Sequence, residues 1–375
     1  MSRPASLVLR ESGSKVRLAL RAALALAGGL LLPGCTTLDY YSQAISGHLD
    51  IVWRAAPIEA QLRDPAVTAS LKARLQRALA IRDFASRELQ LPDNASYRRY
   101  TDLGRPFVVW NVFAAPEFSV KPLESCFPFA GCVSYRGFYS ERAALRKAAE
   151  LRDQGYDTYV GGVPAYSTLG WFDDPVLSTF IHYPDAELAR LIFHELAHQV
   201  VYVRDDSAFN ESFAVAVEQE GVRRWLAQYG SPGDAERYQV LRSRRREAVA
   251  LILRHRNLLE KFYEQPLAEP DRRSGKLRIF ENMRREYETL RAFSWGGYAG
   301  FDRLFSQSPS NAFVASIATY TQLVPAFEAL LRLHGGDLPA FYRGVKDLSE
   351  MSPSERARRL GPGAAGGERP PARSG

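Results

Sequence analysis

The chain has 375 residues, of which 46% are hydrophobic and 24% are charged, and its formal net charge is +7. This composition is that of a globular protein large enough to bury a substantial core, as one large domain or two intimate ones. Residues 1–34 hold five basic residues against one acidic residue, so the remainder carries only about +3. That balance gives no reason to expect nucleic acid as a partner.

The N-terminal segment predicts export. A basic region is followed by "AALALAGGLLLPGC" (22–35), an apolar run that is too short for a stable membrane-spanning helix. Its "LPGC" ending resembles a bacterial lipobox, which predicts a lipoprotein signal peptide over 1–34 and a lipid anchor on Cys35. A plain signal peptide cleaved nearby is the alternative. Thr36 rather than aspartate follows the cysteine, so we expect a cell-envelope protein on the periplasmic side, at the outer membrane in preference to the inner.

Cys126 and Cys132 are the other two cysteines. An exported protein meets an oxidising compartment, so a disulfide that closes this short loop is the simplest interpretation. Two free thiols are the alternative, because sequence spacing does not establish Cα geometry.

Helices and strands alternate in the first half. Helical periodicity marks 70–90, and β-branched and aromatic residues predict a strand within 105–118 and another within 132–139. The segment 140–157 predicts a helix with Ser140 as its N-cap and Gly155 as its end. The Gly-rich and aromatic segment 158–177 is strand-like.

The second half is predominantly helical. A helix is predicted up to Gly230, then a long arginine-rich helix to about Gln265, a loop at "EPDRRSGK", and a helix that Pro325 ends or kinks. The fold class is therefore α+β, with a small, mostly antiparallel sheet within 100–180 and helices over 185–350. We expect a single domain over 35–360 and a disordered Gly/Pro-rich tail at 361–375.

The segment "ELARLIFHELAHQVVYV" (187–203) places His194, Glu195 and His198 in an apolar helix, for which Asp185 offers an N-cap. Residues i and i+4 lie on one helix face, so both imidazoles can face one ion while Glu195 reaches a metal-bound water. Isolated histidines on apolar helices are more often hydrogen-bonded core residues. Here an uncompensated buried glutamate beside two histidines would be costly, which favours a zinc site.

A catalytic zinc needs a third protein ligand and an open position. Glu211, in "FNESFAVAVEQEG", follows His198 closely enough for a short loop and an antiparallel helix to return it to the site. Glu218 lies two turns further on nearly the same face and is the rival ligand. A glutamate in a first helical turn can also serve only to complement the helix dipole.

HELAH followed by Asn-Glu-x-x-Ala resembles the gluzincin metallopeptidases. The segments "CFPFAGCVSYRGFY", "GYDTYVGGVPAYSTLGWFDDPVL", "FHELAHQ", "FNESFA" and "YTQLVPAF" resemble a family of predicted bacterial zinc aminopeptidases that includes inferred lipoproteins. The resemblance implies a metallopeptidase domain with a zinc-binding helix pair and one Zn²⁺ held by His194, His198 and Glu211. Glu195 would activate a zinc-bound water to remove N-terminal residues from peptide substrates.

Further site residues are weaker candidates. Tyr320 and Tyr298 are candidates for stabilising the oxyanion, although each suits a core or surface position equally well. By analogy with the gluzincins, "VPAYSTLGW" would be an edge strand that pairs with peptide substrate and brings Tyr166 and Ser167 to it.

Asp173 and Asp174 follow that segment and could hold the α-ammonium of a substrate. A turn before Pro175 is the alternative role for this pair. Two other functions remain open: a periplasmic zinc endopeptidase, and a non-catalytic lipoprotein scaffold whose metal is structural.

Overall fold

Residues 35–127, 131–321 and 323–360 are described by a computed structural model, without the side chains of 35–39, 127, 131 and 319–321. The predicted signal peptide (1–34), the predicted disordered tail (361–375) and the side chain of Cys35 therefore lie outside the described residues. Two compact units divide at Asp50 and Ile51. The described part of the first unit is helical, and the single domain over 35–360 stays a prediction.

The strands of the second unit form three small sheets. In the first sheet β2 (Arg99–Thr101) lies between β1 (Ala56–Pro57), to which it is antiparallel, and β8 (Val176–Leu177), to which it is parallel. In the second, β3 (Val109–Pro116) lies between the antiparallel strands β6 (Arg136–Phe138) and β7 (Tyr156–Val163). The third is an antiparallel pair of β4 (Ser125–Phe127) and β5 (Gly131–Val133).

Helices account for most of the remaining described chain. They are α1 (Cys35–Arg54), α2 (Ile58–Arg63), α3 (Ala69–Leu89), α4 (Glu141–Asp153), α5 (Asp185–Ala197), α6 (Ser207–Tyr229), α7 (Asp234–Tyr263), α8 (Glu269–Thr289), a π-helical segment (Leu290–Ser294), α9 (Asp302–Phe305), α10 (Asn311–Thr321), α11 (Val324–Leu333), α12 (Leu338–Ser349) and α13 (Pro353–Leu360). Among the described residues, no helix combines the length and apolarity needed to cross a membrane. The predicted α+β class is confirmed, with its strands divided among three sheets rather than one.

Local chemistry explains several of these boundaries. The Ser140 side chain accepts a hydrogen bond from the Ala143 N–H and starts α4. Gly155, with φ +85°, makes the left-handed turn from α4 into β7. Pro325 lies in the first turn of α11, after α10 has ended, which is a position that favours proline.

One expected loop is helical. The segment "EPDRRSGK" was expected to separate two helices, but Glu269 begins α8 and Pro270 lies in its first turn. Proline is well tolerated there because its missing N–H would have no helical partner, so the loop prediction is wrong.

The main hydrophobic core surrounds α5. Its side chains Ile192 and Phe193 are fully buried, and the Phe193 ring packs near the Phe84 ring at 5.9 Å between centroids. A Cβ added to Gly221 of α6 would lie only 2.6 Å from the Phe193 ring, so the absence of a side chain there permits close approach of α5 and α6. Burial of a residue such as Phe193 stabilises the fold by about 1.5–3 kcal/mol and fixes the helix pair that carries the histidines.

Candidate metal centre

The helix α5 carries two of the residues at the centre. It begins after Pro184, and the carboxylate of Asp185 pairs with Arg74 at 2.5 Å and Arg77 at 2.9 Å. Asp185 was expected to be the N-cap, but it is the first helical residue and makes no side-chain cap, because the two arginines hold its carboxylate. The helix ends at Ala197, and His198 is its C-cap in right-handed backbone geometry. Both histidines therefore keep the i and i+4 relationship on one face.

A short loop returns the chain to the same site. The Asn210 side chain bonds both the N–H and the carbonyl of Val203, each at 2.7 Å, and so closes the loop on itself. The Asp206 carboxylate accepts a hydrogen bond from the Phe209 N–H at 3.1 Å and caps the start of α6. Arg356 pairs with the same carboxylate at 3.0 Å. These contacts place Glu211, one turn into α6, opposite the histidines.

Three donor atoms converge between α5 and α6. The His194 Nε2 lies 3.3 Å from the Glu211 Oε2 and 3.3 Å from the His198 Nε2, and the third separation, His198 Nε2 to Glu211 Oε2, is 3.8 Å. His194, His198 and Glu211 thus form a group that could hold a metal ion. The His198 Nδ1 is buried and makes no hydrogen bond to a described group.

Glu218 lies on the other side of the His194 ring. Its Oε2 is 2.9 Å from the His194 Nδ1 and 3.1 Å from the Arg190 Nη1. The Arg190 Nε also donates to Glu187 at 2.8 Å, and Glu187 accepts from Arg245 at 3.2 Å. Glu218 therefore faces the ring nitrogen that points away from the three-donor group. It is suited to orient His194 rather than to share its ion.

The protein groups of the centre are electrostatically coupled. Burial alone would lower the pKa of His194, but its hydrogen bonds with Glu211 and Glu218 outweigh burial and raise that pKa to about 10. Burial lowers the pKa of His198 to about 4. Burial raises the pKa of Glu195 to about 7, and the charges of Glu211 and Asp174 act in the same direction. Glu195 is thus a buried carboxylate that exchanges its proton near neutral pH.

The expected edge strand beside the centre is wrong. β7 ends at Val163, and residues 164–175 form an irregular loop. Pro164 has no N–H to give to a sheet, and Leu169 and Gly170 have φ values of +58° and +83°, which no strand adopts. Any substrate pairing by this segment would therefore not use a regular strand edge.

That loop still brings the four proposed substrate residues near one another. Its turn is closed by Asp174, which is 3% exposed and accepts a hydrogen bond from the Thr168 N–H at 2.9 Å. The Ser167 Oγ accepts from the Leu169 N–H at 3.0 Å, and the Tyr166 ring packs edge-on to Tyr139. Asp173 is exposed. Burial raises the pKa of Asp174 to about 6, with Asp173 adding to the effect.

No described contact places either tyrosine named for the oxyanion beside the metal group. Tyr298 packs in a second hydrophobic cluster, and the Arg244 guanidinium lies over its ring at 4.5 Å. No described contact joins Tyr298 to the metal group. Tyr320 belongs to α10, and its side chain lies outside the described residues. Both roles stay predictions.

The two cysteines of the first half are joined by a disulfide that links β4 to β5. The Asp205 carboxylate, in the loop between α5 and α6, accepts a hydrogen bond from the Cys132 N–H. The hairpin is therefore docked on the loop that connects the two metal-group helices.

Sequence reasoning missed two residues near the centre. Arg190 lies four positions before His194, so helical spacing could have placed it on the same face. Tyr97 is 1% exposed, and its pKa is raised by burial and by the charges of Glu195 and Asp174. Its position follows from a left-handed backbone, φ +63°, which no sequence pattern indicates for a tyrosine.

A comparison with protein-family models places the chain. A model described as "Putative aminopeptidase" matches residues 39–360, which include α5, α6 and the whole metal group. No curated protein and no solved structure matches the chain. The match spans well over half of the 375 residues and confirms the resemblance drawn from the sequence motifs. The chain belongs to this aminopeptidase family.

Proposed function

We propose that the protein is a zinc-dependent aminopeptidase that removes N-terminal residues from peptides. The observation that carries the proposal is the convergence of two imidazole nitrogens and one carboxylate oxygen beside the buried Glu195. Two histidines and a glutamate are the donor set of catalytic zinc sites, which leave a further position open. His194, His198 and Glu211 would hold the ion.

The spacing of the donors fits zinc. Atoms bound at about 2.0–2.1 Å to one tetrahedral ion lie about 3.3–3.4 Å from one another. The three donor separations are 3.3, 3.3 and 3.8 Å. A small movement of the Glu211 carboxylate relative to His198 would complete the match.

Bound zinc supplies a Lewis acid that polarises the peptide carbonyl and acidifies water. Glu195 is the base: with a pKa near 7, its carboxylate takes the proton from the attacking water and returns it to the leaving amine. Its burial keeps bulk water from competing for that proton. Glu218 accepts the His194 Nδ1–H and holds the ring with Nε2 toward the ion, while Arg190 neutralises the Glu218 charge.

Recognition of a free N-terminus is assigned to the loop 164–175. The charge of Asp174 acts on Glu195, so the two carboxyl groups lie within electrostatic range of each other. A substrate ammonium near them would stabilise the ionised form of Asp174, which burial disfavours. Tyr166, Ser167 and the exposed Asp173 flank that position on the same loop.

Export and lipidation at Cys35 complete the proposal, on the strength of the N-terminal sequence. A peptidase of the cell envelope would meet its peptides on the periplasmic side. Radiolabelled palmitate should label the full-length chain but not Cys35→Ser, and equal labelling of both would refute lipidation at Cys35.

The activity is tested with the chain from Thr36, purified without chelator, beside Glu195→Gln. We expect about one zinc in each protein, cleavage of peptides with free N-termini, no cleavage of acetylated ones, and a loss of about 10²–10⁴ in kcat for the variant. Cleavage of acetylated peptides would instead identify an endopeptidase. Bound zinc without Glu195-dependent turnover would favour a structural metal, and a chain that binds no zinc would refute the proposal.

A further inference from the structure

Tyr97 adopts an unfavourable backbone conformation at a buried position. Its φ of +63° lies in the left-handed region, where glycine or asparagine is the usual occupant, and only 1% of its surface is exposed. Strained residues of this kind persist where the surrounding structure enforces them, and they concentrate at functional sites. The contacts around Tyr97 show what enforces it.

A buried arginine organises the segment before Tyr97. Arg82 is fully buried, and its guanidinium donates to the carbonyls of Pro92, Asn94 and Ser96 at 2.6, 3.0 and 2.8 Å. Because a buried guanidinium without acceptors would be costly, these three bonds fix the path of the chain up to Tyr97.

The same segment is tied to the metal centre. The Asn94 Nδ2 donates to the Gln199 Oε1 at 2.7 Å, and the Gln199 Nε2 donates to the Ser96 Oγ at 3.3 Å. Gln199 directly follows His198. The Tyr97 N–H donates to the carbonyl of Asp174 at 2.6 Å. Tyr97 is thereby tied to the end of α5 and to the loop 164–175.

All of these bonds fix the position of the Tyr97 hydroxyl. The Tyr97 hydroxyl is buried and makes no hydrogen bond to a described group. Burial raises the pKa of this hydroxyl, and the charges of Glu195 and Asp174 act in the same direction, so it lies within electrostatic range of both carboxyl groups. Asp174 already accepts from Thr168, whereas no described group donates a hydrogen bond to the Glu195 carboxylate. Among the described residues, a donor without an acceptor therefore lies within electrostatic range of an acceptor without a donor.

We propose that Tyr97 is a positioning residue for Glu195, its hydroxyl donating to the Glu195 carboxylate when substrate enters the site. The inference rests on the proposed function, in which Glu195 is the base. The bond would hold the carboxylate in the direction of the attacking water and would be made only in the working complex. Tyr97 acts through Glu195 and does not touch the substrate, because its hydroxyl is inaccessible.

The test is Tyr97→Phe in the chain from Thr36, with Tyr342→Phe as the matched control. The Tyr342 hydroxyl is also buried but donates to the Leu89 carbonyl at 2.9 Å. For Tyr97→Phe we expect kcat about tenfold lower, KM within about twofold, unchanged zinc content, and a Tm equal to or above that of the parent, since no resting hydrogen bond is lost. For Tyr342→Phe we expect the reverse: a lower Tm with unchanged kcat.

Three results would overturn the role of Tyr97: an unchanged kcat, a loss confined to KM, or a fall in Tm comparable with that of Tyr342→Phe. The double variant Tyr97→Phe/Glu195→Gln should be no slower than Glu195→Gln alone, since both changes act on one group. Additive losses would also refute the inference. An active Glu195→Gln, or a chain without zinc, would refute the proposed function instead, so the two failures are distinguishable.

Discussion

Glu211 and Glu218 lie on one face of α6. Replacing each in turn by glutamine distinguishes the proposed metal ligand, Glu211, from Glu218, the group proposed to orient His194. Glu218→Gln keeps the shape of the side chain and an acceptor for the His194 Nδ1–H, but it removes the charge. A hydrogen bond to a charged partner is worth about 1.5–3 kcal/mol and a neutral one about 0.5–1.5 kcal/mol. The midpoints of these ranges differ by about 1.25 kcal/mol, which predicts zinc binding weaker by a factor of roughly 8 to 10, at the lower end of the range for groups that orient ligands.

The fold should survive this change. In Glu218→Gln the guanidinium of Arg190 keeps its bond to Glu187 at 2.8 Å, so no buried cation is left without a partner. Glu211→Gln replaces a proposed ligand itself, so its loss of affinity should exceed the upper limit of about a hundredfold for orienting groups.

Competition with a chelating dye measures the zinc affinities of the parent, Glu211→Gln and Glu218→Gln. Glu220→Gln is the control, because Glu220 lies on the same helix but pairs with Arg223 and Arg224, at 2.8 and 2.7 Å. Its zinc affinity should stay within about twofold of the parent. If Glu218→Gln weakened binding as much as Glu211→Gln, the assignment of Glu211 as the third ligand would be wrong.

Three other outcomes are expected. Because hydrogen bonds with Glu211 and Glu218 raise the pKa of His194 to about 10, zinc binding at pH 7.5 should release about one proton, and zinc affinity should rise with pH. Calorimetry in buffers of different ionisation enthalpy measures the proton release. Binding without proton release would contradict this prediction. Burial raises the pKa of Asp174 from its ordinary value of 3.8 to about 6, so its ionisation costs stability as the pH rises through 4–6. In denaturant titrations Asp174→Asn should be about 3 kcal/mol more stable than the parent at pH 7.5 and about equal to it at pH 3.5. A difference that does not change with pH would refute the shift. Replacing Cys126 and Cys132 by serine should lower the free energy of unfolding by about 2 kcal/mol, because the disulfide closes a short loop. The zinc content should stay unchanged. A loss of zinc would show that the β4–β5 pair supports the metal centre.

The sequence was sufficient to predict that His194 and His198 face one ion, because helical spacing alone decides which side chains share a face. Helical spacing could not choose between Glu211 and Glu218, which are seven residues apart and thus nearly aligned around the axis, so the choice of Glu211 came from the family resemblance. Their heights differ by about 10 Å along α6, which is enough to put them on opposite sides of the His194 ring. That height matters only once the register of α6 against α5 is known, and Gly221 and Phe193 set this register through packing.

The strand prediction for residues 164–175 was wrong for a different reason. Glycines and aromatic residues in 158–177 are compatible with a strand, and the chain does form β7 up to Val163. Beyond it, the positive φ of Leu169 and the buried Asp174 carboxylate impose a closed turn. Those are tertiary constraints that override local β-propensity, and the same is true of the left-handed Tyr97.

The charges around α5 couple the metal group to Glu195. Glu218 has Arg190 as its counter-ion, whereas among the described residues His198 and a proton on His194 favour the charged form of Glu211. A divalent ion between the ligands would replace that proton and bring one further positive charge. The surplus favours ionisation of Glu195, whose pKa burial otherwise raises to about 7. Metal binding and ionisation of Glu195 are then coupled, so a variant that loses the metal should have only about half of its Glu195 ionised near pH 7.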